Sequence, residues 1–64
     1  MKSPTPYEIK AVRASVGLTQ KSMAELLLVP LRTYEKWERN ESRMSPPIFE
    51  LMKIKCERLK INID

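Results

Sequence analysis

The chain has 64 residues, 42% hydrophobic and 31% charged, with a single Gly, a composition typical of a folded globular domain rather than a disordered tail. At this length there is room for one core, which buries only about 60% of the unfolded surface, so a second copy is the natural addition to it. Twelve Lys and Arg against eight Asp and Glu give a formal charge of +4, which favours polyanionic partners, nucleic acid first among them.

Composition also excludes chemistry. With no His and a single Cys, the chain cannot build a His-containing triad, an imidazole metal site or a multi-thiolate zinc site, so no catalytic residue, metal or cofactor is expected. Cys56 cannot form an internal disulfide, which suits a reducing cytoplasm. No apolar run approaches the roughly 20 residues of a membrane span. Met1-Lys2-Ser3-Pro4 lacks the apolar core of a signal peptide, and residues 1 to 4 read as a flexible arm.

Thr5-Pro6-Tyr7-Glu8 is a helix start: Thr caps free amides, Pro suits the first turn, and Glu8 completes a capping box. Ile9, Val12 and Val16 form the buried stripe of this first helix, and Gly17 ends it. Thr19 caps a short second helix over Gln20 to Leu27, with Met23, Ala24, Leu26 and Leu27 as its apolar residues. Pro30 imposes a break from Leu28 to Pro30. Leu31 to about Arg39 is the third helix, and Asn40 to Ser45 is a polar connection. Ser45 caps a fourth helix with Pro46 and Pro47 in its first turn, running to about Lys60. Ile61 to Asp64 either continues it or forms a short strand. The expected fold is all-α, one domain of four or five short helices over residues 1 to 64.

On a wheel at about 100° per residue with Arg32 at zero, Lys36 falls near +40° and Arg39 near −20°, whereas Tyr34 and Trp37 fall near 200° and 140°. A cationic ridge therefore faces one way and an aromatic anchor the other, as a helix lying in the major groove of DNA requires. The alternative is that these charges only solvate an exposed face.

The order of parts around this ridge favours DNA. Gly17-Leu18-Thr19-Gln20, Met23-Ala24-Glu25-Leu26-Leu27, the break at Val29-Pro30, and Arg32-Thr33-Tyr34-Glu35-Lys36-Trp37-Glu38 together resemble the helix-turn-helix of the phage Cro and repressor type, the XRE-like family, over residues 7 to 52. The resemblance implies a lambda-repressor-like bundle with its helix-turn-helix at about 19 to 39. Leu28 stands where the family commonly has Gly, and Pro30 where it commonly has a polar cap.

By this resemblance Leu31, Arg32, Thr33, Glu35 and Lys36 face base edges, and Gln20 approaches a phosphate. Arg39, Asn40 and Arg43, at or past the helix end, are placed for phosphates. Glu35 has an alternative role as a partner of Arg39 one turn on. Family members also carry an internal ion pair at the positions of Arg13 and Glu38.

In the fourth helix Phe49, Met52, Cys56 and Leu59 form one apolar row, with Ile48 and Leu51 beside it, more apolar surface than a small core needs. The first row is assigned to a two-fold contact with a second copy. The functional expectation is a dimeric cytoplasmic repressor on a short inverted-repeat operator in duplex DNA, autoregulation included. The alternatives are an antitoxin-like or other protein-interaction module, and an RNA-binding protein.

Overall fold

The computed structural model describes residues 2–61. Within them lie four helices: α1 (Pro6–Ser15), α2 (Gln20–Leu27), α3 (Leu31–Glu38) and α4 (Pro46–Ile61), with no strand among the described residues. The fold is the all-α bundle that the sequence implies. Ile61 continues α4, and the rest of the C-terminal tail lies outside the described residues. None of these helices is long and apolar enough to cross a membrane.

The helix starts follow local chemistry. The Thr5 hydroxyl accepts from the Glu8 amide while the Glu8 carboxylate accepts from the Thr5 amide at 2.8 Å, a reciprocal capping box. The Thr19 hydroxyl caps α2 through the Ser22 amide at 3.0 Å. Helix α3 starts at Pro30 with no side-chain cap, since Pro offers no polar side chain. The arm expected to be flexible is anchored at one point, because Pro4 is buried.

The first three helices stop in the same way. Each ends on a left-handed residue: Gly17 at φ +69°, Leu28 at +60° and Asn40 at +65°. The amides of the following residues reach back over the last turn, Leu18 to Arg13, Val29 to Ala24 and Glu41 to Lys36. These are Schellman stops, which satisfy carbonyls that the helix end would leave free. Gly and Asn tolerate this conformation, whereas the Cβ of Leu meets a penalty of roughly 1–2 kcal/mol. Leu28 is 87% exposed, so few contacts offset that strain. Leu28→Gly is therefore expected to raise stability by about 1 kcal/mol after the entropy cost of Gly, read as a higher urea midpoint at unchanged slope. A lower midpoint would show that the Leu28 side chain stabilises the turn.

The core gathers Ile9 from α1, Met23, Ala24 and Leu27 from α2, Tyr34 and Trp37 from α3, and Met52 and Cys56 from α4. Ala24 is buried as α2 packs on α3. Tyr34 and Trp37 meet edge to face, with ring centroids 6.0 Å apart, an arrangement that adds about 0.5–1.5 kcal/mol beyond area burial. Met44 is also fully buried, although it lies in the stretch read as a polar connection. As the only apolar residue of Asn40 to Ser45, it closes the core beneath the link to α4.

The assignment of apolar rows in α4 needs correction. Met52 and Cys56, expected in a contact between copies, lie inside a single chain at 0% and 2% exposure. Phe49 is half-buried against the same core, with the Lys53 ammonium 4.8 Å from its ring centroid. Only Leu59 of that row is exposed, together with Leu51, Ile54 and Ile61. The physical reason is that α4 packs on both α1 and α2, so the row through Met52 and Cys56 is the one the core consumes.

Candidate nucleic-acid interface

The rings of α3 are buried while Arg32, Lys36 and Arg39 are exposed. One short helix thus shows cations outward over an aromatic base, because residues three and four apart share a face. Leu31 is also exposed, and Thr33 and Glu35 are half-buried at its edges. Asn40 and Arg43 follow on the exposed surface of the link.

Glu35 and Arg39 do not pair among the described residues. Arg39 instead stands 3.9 Å from Glu41, both largely exposed, a contact too loose and solvated to fix either side chain. This leaves the Glu35 carboxylate without an ion partner among the described residues. The turn through Asn40 folds Glu41 back toward Arg39, a feature that helical spacing could not reveal.

The orientation of α3 is set from behind by Glu38. Its side chain is only 1% exposed, and its carboxylate accepts from Arg13 Nε at 2.7 Å, from Arg13 Nη2 at 3.1 Å and from Gln20 Nε2 at 2.9 Å. Arg13 Nη1 also donates to the Leu18 carbonyl at 3.0 Å. One buried carboxylate therefore joins α1, the start of α2 and the end of α3. The fork of Arg matches the carboxylate in a way that Lys could not.

Burial pushes the Glu38 carboxyl upward. The Arg13 hydrogen bonds, with the neighbouring Tyr34 and Gln20 and the attraction of Arg13, outweigh that effect and hold it below its ordinary value. Tyr34 is pushed the other way, far above the usual phenol range, first by burial and then by the adjacent carboxylate, so it stays protonated. Its buried hydroxyl lies beside Glu38 but outside hydrogen-bonding geometry with any of the described groups.

Gln20, assigned from the sequence to a phosphate, is half-buried and spends one amide N–H on Glu38. Its second N–H is not used among the described residues. Sequence spacing missed this bond because Gln20 and Glu38 are far apart in the chain. The clue was that Gln20 begins the helix that crosses α3.

No group of three or more metal-ligating side chains comes together among the described residues. Cys56 is a buried free thiol, pushed up chiefly by burial. That environment suits a small core hydrophobe, not an activated nucleophile.

Comparison with known proteins agrees with this geometry. Over 59 residues the chain is 30% identical to the type II methyltransferase M.MspI of Moraxella sp, a match that takes in 92% of this chain and 14% of that enzyme. A family model described as Helix-turn-helix matches residues 9–54, from the buried Ile9 through α2, the strained turn and α3 into α4. The chain belongs to the XRE-type helix-turn-helix DNA-binding family.

Proposed function

We propose that the chain is a cytoplasmic, non-enzymatic repressor that binds a short inverted repeat in duplex DNA as a homodimer and controls a promoter, its own included. The observation that carries this reading is the division of α3 into a buried aromatic side and an exposed side bearing Arg32 and Lys36. Leu31, Arg32, Thr33, Glu35 and Lys36 read base edges, while Gln20, Arg39, Asn40 and Arg43 hold phosphates on either side. Residues 1 to 64 act as one DNA-binding domain. Methyl transfer does not enter the proposal, because the likeness to M.MspI is confined to 14% of that enzyme.

The dimer contact assigned here is the outer face of α4, through Leu51, Ile54 and Ile61, with Leu59 exposed at the end of the core-facing row. Two-fold pairing would place half-site centres about 34 Å apart or a multiple of that. Ile54→Asp puts a charge on this face without touching the core. It is expected to convert the chain to a monomer in sedimentation and to weaken binding to an inverted repeat while a half-site is still bound. An unchanged dimer would contradict the assignment. A wild-type chain that sediments as a monomer and co-purifies with one defined protein would favour the second reading, an antitoxin-like module whose α4 face grips another chain.

A further inference from the structure

Beside the end of α3 the N-terminal arm and the link to α4 enclose an open cleft of about 640 Å³. Lys2, Ser3 and Thr5 line one side of it, Asn40 and Arg43 the other. No carboxylate is among its lining residues, and among the described residues neither Lys2 nor Arg43 has an ion-pair partner. The adjoining cleft, on the α4 side of the arm, differs in holding Glu8 and Glu50. Two unpaired cations with amide and hydroxyl donors form a site for a phosphate oxygen.

We infer that the arm is part of the nucleic-acid interface: Lys2 and Arg43, facing across this cleft, clamp a backbone phosphate of the strand that passes the end of α3. The inference rests on the reading of α3 as the DNA-facing helix, and it extends the contact to a residue outside the helix-turn-helix. Each wall is tethered next to the cleft. Buried Pro4 and the capping box at Thr5 hold the arm, and the left-handed Asn40, locked by the Glu41 amide on the Lys36 carbonyl at 2.9 Å, holds the link. The occupant is a phosphate of a polymer, not a small anion. Lys2 and Arg43 are both exposed, so a free ion here competes with water, whereas a phosphate on DNA already docked at α3 arrives at high effective concentration.

The test is titration of the intact chain against a duplex that it binds specifically, with flanking sequence on both sides, over a range of salt. Lys2→Ala removes an exposed charge and leaves the fold intact. It is expected to weaken binding to every sequence and to lower the slope of log affinity against log salt by about 0.9 per bound chain. Lys10→Ala, which removes the same charge from an exposed position on α1, is expected to leave the slope unchanged. A wild-type slope for Lys2→Ala, or an equal fall for Lys10→Ala, overturns the clamp. If Arg32→Ala alters base preference while Lys2→Ala changes nothing, only the clamp fails. If the wild-type chain prefers no duplex, the DNA reading and the clamp fall together. Inorganic phosphate that saturates Ser3, Asn40 and Arg43 amide shifts below about 1 mM at constant ionic strength would reassign the cleft to a free anion.

Discussion

Arg13→Ala is expected to destabilise the fold by about 3–5 kcal/mol, more than Glu38→Ala, although Glu38 is the more deeply buried partner. The asymmetry follows from what each change strands. Without Arg13, a carboxylate whose side chain is 1% exposed keeps only the Gln20 amide as its donor. Without Glu38, an Arg13 side chain that is 23% exposed still reaches water and the Leu18 carbonyl. For a domain of this size each kcal/mol moves the melting temperature by about 4–8 °C, so Arg13→Ala should melt roughly 12–40 °C lower. Total stability is about 3–10 kcal/mol at this length, which leaves that variant near the edge of folding. Replacing Arg13 and Glu38 together by Met removes both charges and should recover most of the loss. Equal losses from the two single changes, or a double variant no better than Arg13→Ala, would contradict this account.

Acid separates the same variants by sign. In the wild-type chain the Glu38 carboxyl is held below its ordinary value of 4.5, so its contribution is complete above that pH and is lost as pH falls through the lower folded value. In Arg13→Ala the hydrogen bonds that held it down are gone while burial remains, which raises the folded value. Stability then increases on acidification, and the deficit relative to wild type narrows. Thermal melts between pH 7 and 4 should therefore converge. Parallel curves would mean that Glu38 is not the titrating group.

Arg32→Ala is the second large effect, and it concerns binding. Arg32 is the second residue of α3, exposed and without an ion partner among the described residues. If it donates a bidentate pair to guanine, its loss removes about 1–3 kcal/mol of discrimination at one base pair, a factor of about 5–150, and leaves the other positions unchanged. Arg39→Ala should instead weaken all sequences alike and flatten the salt slope by about one, as a phosphate contact does. A uniform loss from Arg32→Ala would move that residue from the bases to the backbone.

The helices were legible in the sequence because their signals are local. The Thr5 and Thr19 caps, Gly17, Pro30 and the pair Pro46-Pro47 each act within a turn or two, and the periodicity of α3 fixed which side its rings take. The parts that were not legible depend on partners distant in the chain. Helix α4 carries apolar residues on more than one side, and periodicity cannot tell which row faces its own core, so Met52 and Cys56 were assigned to a second copy. Gln20 reads from the sequence as a phosphate contact alone, because its bond to Glu38 exists only once α2 crosses α3. Met44 was passed over because its neighbours are polar, although an isolated apolar residue in such a stretch is itself a sign of burial. The strain at Leu28 is the opposite case: the departure from Gly was visible, and the structure shows the chain holding the left-handed turn with Leu all the same.

The most direct measurement is selection of bound sequences from a random duplex pool by the wild-type chain. The account predicts an enriched inverted repeat whose half-site centres lie about one helical turn, or a multiple of it, apart. A pool that emerges without enrichment would contradict it.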